Sequence, residues 1–174
     1  MTGNNQPLDS NNAFRDAVES YYLETAEGLF FAVKGLEHPA DRLIAVLRYA
    51  PDAQKGTRRK GEILYRRLYG FAEQEQFIRT NCPQYLIHDP IYQTTLQSVP
   101  QSSIRRVYNP RLRVQELAEA SFRRKIEEDA IDFVRLLQQA ARVPLSAFGI
   151  TGSLLIGVHT DISDLDVVVF GTQN

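Results

Sequence analysis

At 174 residues the chain is long enough for one medium domain, or for two small ones that share a core. Its 43% hydrophobic and 24% charged residues are ordinary for a soluble globular protein, and a formal net charge of -1 excludes nucleic-acid binding through overall charge while leaving room for a local basic patch. One cysteine, Cys82, excludes an intrachain disulfide framework and a multi-cysteine zinc site, and His38, His88 and His159 show no zinc-ligand spacing.

No apolar run approaches the roughly 18 residues that span a bilayer. The N-terminus is polar and lacks the apolar core of a secretory signal. A cytoplasmic protein without a membrane partner is therefore expected. Residues 1–12, rich in Asn, Gln, Gly and Ser, read as a loosely held tail. A short helix is expected over Ala13 to Glu24. Leu29-Phe30-Phe31-Ala32-Val33 and Leu43 to Tyr49 are strand-like runs closed by Gly35 and Pro51, and the connection between them suits antiparallel pairing with a long loop.

A basic segment follows. Lys55, Arg58, Arg59, Lys60, Arg66 and Arg67 fall within thirteen residues that hold one acid, Glu62. A strand over Ile63 to Leu68 would place Ile63, Tyr65 and Arg67 on one face. The segment reads first as a solvated strand face or loop. With Tyr65 and Tyr69 it is also a candidate RNA or DNA contact through phosphates and stacking. From Phe71 to Pro110 the chain is punctuated by Pro83, Pro90 and Pro100, and short helices or turns are expected.

Asn109-Pro110 is a helix start, with Asn as N-cap and Pro at the first helical position. Val114, Leu117, Ala118, Phe122, Ile126, Ala130, Phe133 and Leu137 then draw one apolar stripe ended by Pro144. So long a helix invites a break. The expected fold class is α+β: tail 1–12, a strand-rich N-terminal unit 13–109, and a helix-strand-helix-strand unit 110–174.

The chemistry concentrates in Gly149 to Gly171. A short strand runs into Gly152-Ser153, where a helix begins. Gly152 allows close backbone approach, and the free N–H groups of a helix start suit a phosphate. Asp164 and Asp166, at i and i+2 on the next strand, share a face. Two such carboxylates repel unless a cation lies between them, and Mg²⁺ shared with substrate phosphates is the expected partner. His159 is expected in a surface turn, and Cys82 has no neighbouring base that would make it a nucleophile.

Gly-Ser, ten residues and then Asp-Leu-Asp in an apolar strand resembles the signature of the DNA polymerase beta-type nucleotidyltransferase superfamily. Gly157 and Ser163 extend the resemblance. More narrowly, Ala32-Val33-Lys34-Gly35 with His38-Pro39, Leu47-Arg48-Tyr49, Val107 to Arg111 and Thr151 to Gly157 resemble a family of uncharacterised "predicted nucleotidyltransferases".

The resemblance implies transfer of a nucleoside monophosphate from a triphosphate to a hydroxyl acceptor, with release of pyrophosphate and a two-metal Mg²⁺ site. It assigns nucleotide binding to Gly152 and Ser153. Catalysis and metal binding fall to Asp164 and Asp166. The acceptor would be an RNA, a protein or a small molecule. The alternative is a non-catalytic nucleotide- or nucleic-acid-binding module that keeps the fold.

Two departures from the pattern stand out. Leu154 replaces the basic residue that many minimal members carry after Gly-Ser, so a phosphate contact is expected to be missing. The third carboxylate of catalytic members lies on a later strand, whereas the sequence given ends at Asn174. The chain is thus expected to be a fragment, a truncated form or a decayed gene product, without full turnover of its own. Its exposed sheet edge would favour a homo-oligomer.

Overall fold

The structure is a computed structural model that describes residues 10–91 and 93–171. The tail expected over 1–12 lies mostly outside the described residues, but Ser10 already opens helix α1 (Ser10–Arg15). The helix expected over Ala13 to Glu24 is therefore displaced. After α1 the chain extends into β1 (Tyr22–Thr25), whose side chains are largely buried.

Strands β2 (Phe30–Val33) and β3 (Arg42–Pro51) pair antiparallel, as their apolar runs predict. β4 (Arg58–Lys60) and β5 (Ile63–Arg67) form a hairpin out of the basic segment. Next come α2 (Phe71–Asn81), β6 (Leu86–Asp89), β7 (Thr94–Pro100) and β8 (Ile104–Tyr108). The short helices or turns expected at the prolines are there, as 3-10 turns at Pro83–Tyr85 and Gln101–Ser103 and a turn at Pro90, but α2 and three strands that the prolines do not announce share the region. Pro100 closes β7 and costs the ladder nothing there.

Among the described residues these strands make one eight-stranded antiparallel sheet. Its path runs β4-β5-β3-β2-β1-β8. β3 is long enough to serve two partners: Arg42 to Ile44 pair with β7, while Tyr49 to Pro51 pair with β5. The sheet curls around that shared strand. All four residues of β2 are buried, so both faces of the sheet are covered. One face packs with α1 and α2 around Leu23, Phe31, Leu47, Ile78 and Tyr85.

The long helix is two helices, α3 (Pro110–Glu119) and α4 (Lys125–Ala141). Asn109 caps α3 as expected, its side-chain oxygen accepting from the Arg111 N–H at 2.9 Å. The break is held by side chains. Arg123 donates to the carbonyls of Leu117 and Ala120 at the end of α3, and Glu127 accepts from the Arg124 N–H at the start of α4. Phe122, placed on the apolar stripe by spacing, falls in the break and is 82% exposed. On α4 the buried positions are Ile126, Ala130, Ile131 and Val134; Phe133 lies largely outside.

These helices pack on β9 (Phe148–Ile150), which is followed by α5 (Gly152–Ile156) and β10 (Val167–Val169). β10 pairs antiparallel with β9 in a separate two-stranded sheet. The short helix α5 lies between the two sheets. Leu155, Ile156 and Val158 pack on Tyr22, Phe30, Tyr49, Tyr65 and Tyr108 of the large sheet, whereas Leu154 packs with the α3–α4 core.

Candidate functional site

Gly152, Ser153, Asp164 and Asp166 line one polar cleft of about 230 Å³. The two expected halves of the site therefore come together. Gly152 has φ +66 and is buried. A Cβ on it would lie 2.1 Å from Asp166 Oδ2, so glycine is required both by backbone conformation and by the carboxylate packed against it. The Thr151 N–H donates to the Asp166 carbonyl at 2.9 Å, which extends the β9–β10 pairing back to the aspartate.

One detail differs from the expectation. β10 begins at Val167, so both aspartates precede the strand and are accessible from the cleft. Helix α5 has only five residues, and its macrodipole is correspondingly small. What it offers a phosphate is the N–H groups of a first turn.

Partial burial raises the Asp166 carboxyl above the usual aspartate range, and the neighbouring Asp164 adds to the rise. Arg67 and Arg48 oppose it through space. The two carboxylates, beside a serine hydroxyl, form a hard oxygen donor set. That set suits Mg²⁺, which is commonly held by one or two carboxylates with water and substrate phosphates completing its shell. Among the described residues no group of three or more His, Cys, Asp or Glu side chains gathers to hold a metal by itself.

The opposite wall of the cleft comes from the large sheet. It presents Arg48 and Tyr49 of β3, Arg67 of β5, Arg58 of β4, and Tyr22 of β1. Burial pushes the Tyr22 phenol up to about 12, so it stays neutral, and burial also raises Tyr49. The basic segment is thus largely turned inward, not spread on a solvated face. Arg58 donates to Thr160 Oγ1 at 3.0 Å and Ser163 Oγ at 2.7 Å. Ser163 Oγ also accepts from the Thr160 N–H at 2.9 Å. That small network fixes the loop that delivers Asp164.

Lys60, two residues on and on the same strand face, donates to Tyr108 Oη at 2.6 Å and to the Ile156 carbonyl at the end of α5 at 2.8 Å. Its ammonium sits over the Phe30 and Tyr108 rings, and burial lowers its pKa, with Glu24 opposing. The sequence carried a signal for this arrangement: Arg58 and Lys60, like Tyr65 and Arg67, stand at the period of two that puts side chains on one strand face. Read as a charge run, the segment did not say which face was covered.

His159 is a further correction. It is 7% exposed instead of lying in a surface turn, with Nε2 3.8 Å from Glu127 Oε1 of α4. Burial lowers its pKa, Arg124 and Arg113 reinforce the effect, and Glu127 opposes it. Cys82 is buried, and burial pushes its thiol up to about 11, in keeping with a non-nucleophilic role.

An uncharacterized protein of Methanocaldococcus jannaschii, MJ1086, is 29% identical to this chain over 157 residues. The match covers 86% of the chain and 46% of the relative, so the chain spans about half the length of the protein it resembles. No family model matches the chain, and no solved structure matches it. Among the described residues no helix is long and apolar enough to cross a membrane.

Proposed function

We propose that the chain carries the nucleotide- and metal-binding part of a polymerase beta-type nucleotidyltransferase, with Gly152 and Ser153 at the phosphates and Asp164 and Asp166 at Mg²⁺. The observation that carries this reading is the fit of Gly152 against Asp166: the Gly-Ser turn and the second aspartate, separated in sequence, are in contact around one polar cleft. A solvated strand-turn-strand would not need a glycine there.

In the proposed reaction an acceptor hydroxyl oxygen bonds to the α-phosphorus, and the bond to the leaving pyrophosphate breaks. Mg²⁺ bound at the aspartates would lower the pKa of the hydroxyl and neutralise charge on the pyrophosphate. The chain's own groups position the substrate. Gly152 brings backbone close to the phosphates, and Arg58 with Ser163 and Thr160 holds the aspartate loop. No third carboxylate joins Asp164 and Asp166 among the described residues. Binding is therefore the property proposed for this stretch, and transfer to an RNA, protein or small-molecule acceptor is proposed for a protein that supplies the remainder.

The alternative of a nucleic-acid module with the basic segment as its contact surface is less well supported. Arg58, Lys60 and Arg67 face the C-terminal unit, which leaves chiefly Lys55 and Arg59 on the outside. Titration with ATP, GTP, CTP and UTP, with and without Mg²⁺, tests the assignment. At least one nucleotide should bind in a Mg²⁺-dependent manner, and Asp164→Ala with Asp166→Ala should abolish that dependence. Metal-independent binding, or binding unchanged in the double variant, would overturn it.

A further inference from the structure

Leu154 occupies the position where a basic residue would follow Gly-Ser, and it is fully committed to the helical core at 1% exposure. The cleft nonetheless has guanidinium groups, and they come from the large sheet. Their placement is specific. The β2–β3 register shifts between Phe30, opposite Tyr49, and Phe31, opposite Leu47, so Arg48 is the extra residue of a β-bulge. Before the bulge, Leu43, Ala45 and Leu47 alternate onto the α1–α2 face. At the bulge Arg48 and the adjacent Tyr49 both reach the cleft. A bulge gives up regular pairing and re-aims a side chain; here it turns Tyr49 onto the face that Arg48 already takes by alternation with Leu43, Ala45 and Leu47, so the two stand side by side in the cleft that holds Asp164 and Asp166.

Arg67 stands opposite Tyr49 on β5. Its guanidinium lies 4.5 Å from the Tyr69 ring, and its Nε is buried without a hydrogen-bond partner among the described residues. An unpartnered buried donor costs free energy unless a ligand meets it. Arginine offers planar, paired donors that match phosphate oxygens.

The wall of cations and the floor of carboxylates set the chemistry of the occupant. A free anion would suit the arginines and be repelled by the aspartates; a free cation would meet the reverse. A polyphosphate carrying a divalent cation satisfies both.

We propose that Arg48 and Arg67, set by the cleft-facing alternation of β3 and β5, are the polyphosphate-binding residues of this cleft, supplying from the N-terminal sheet the cations that Gly152-Ser153-Leu154 lacks. The proposal deepens the nucleotidyltransferase reading and rests on it for the identity of the metal floor. It also accounts for the mutual packing of the two units, because neither alone would hold a metal–triphosphate complex.

The test is calorimetric titration of the 174-residue chain with inorganic tripolyphosphate and with ATP, each with and without Mg²⁺. Arg48→Gln with Arg67→Gln should weaken both ligands at least tenfold while leaving the far-UV spectrum unchanged. Single Arg67→Gln and Arg67→Lys variants give a second reading if the double variant folds poorly, with Lys retaining more affinity than Gln. Asp164→Asn with Asp166→Asn should remove the effect of Mg²⁺ and, with the repulsion gone, let tripolyphosphate bind without metal more tightly than it does to the native chain.

If the arginines are only counter-ions of the aspartates, their removal will strengthen Mg²⁺ binding and leave tripolyphosphate affinity unchanged, which overturns the proposal. Absence of tripolyphosphate binding to the native chain would also overturn it. Loss in the arginine variants together with no Mg²⁺ effect in any form would retain the polyphosphate site and overturn the transferase reading instead.

Discussion

At the scale of single residues, the site depends on what is absent at Gly152. Its φ of +66 is costly for a residue with a side chain, and the space a Cβ would need is filled by the Asp166 carboxylate. Gly152→Ala should therefore do two things. The left-handed backbone should cost about 1–2 kcal/mol, which for a chain of this size lowers Tm by several degrees. The methyl should also push Asp166 out of place, so Mg²⁺-dependent nucleotide affinity should fall far more than stability does. A thermal melt paired with the nucleotide titration separates the effects; an alanine variant that binds normally would contradict the packing argument. Sequence spacing singled out Gly152, Ser153, Asp164 and Asp166, because a turn, a helix start and two carboxylates two residues apart are local features, although the aspartates precede β10 and do not lie on it. It could not single out Arg48, since the alternation of β3 gives the arginine a face but not what the C-terminal unit places opposite that face.

Among the elements, those legible in sequence are the ones whose burial is regular. β2, β3 and β5 have apolar or alternating patterns with clear stops, and the Asn109 cap uses local hydrogen bonding. β6 to β8 were hidden by their prolines and by mixed exposure, as in the burial of β8, where only Tyr108 is fully covered. The break between α3 and α4 was anticipated without a position, because Arg123 makes it by capping carbonyls that any arginine could reach. His159 was misplaced for a related reason: its cover comes from α4, remote in sequence. That burial has a consequence for acid stability. A histidine whose folded pKa lies below its unfolded value near 6.5 binds a proton more readily when unfolded, so stability is complete above that value and falls as pH drops through it. His159→Gln should flatten the loss of Tm between neutral pH and pH 5 relative to the native chain. An equal loss in both proteins would place the acid-sensitive group elsewhere, with His38, also lowered by burial, next in line.

For the whole molecule, the question is whether sheet and helical unit unfold together. Their junction is substantial and mixed in character. Leu155, Ile156 and Val158 are buried against six aromatic or small side chains of the sheet, and Thr151 Oγ1 donates to the Ser20 carbonyl at 2.6 Å. Lys60 then binds the last carbonyl of α5, and Tyr108 relays that contact by donating to Glu24 at 2.6 Å. Apolar burial supplies the larger share of the free energy, while Lys60 fixes the register in which α5 docks. Leu155→Ala should cost about 2–5 kcal/mol as a core truncation. Lys60→Met should cost about 1 kcal/mol, because the Ile156 carbonyl loses its partner at a half-buried site that water can still reach. If the junction couples the units, native unfolding will be a single transition that coincides by tyrosine fluorescence and by far-UV circular dichroism. Leu155→Ala combined with Lys60→Met should split it, since each unit keeps its own cluster around Phe31 or Ile131. Because Arg48 and Arg67 lie on one side of the junction and Asp164 and Asp166 on the other, that double variant should also lose nucleotide affinity before it loses secondary structure. Coincident transitions with binding retained would mean that the cleft does not depend on the docking of α5 against the sheet.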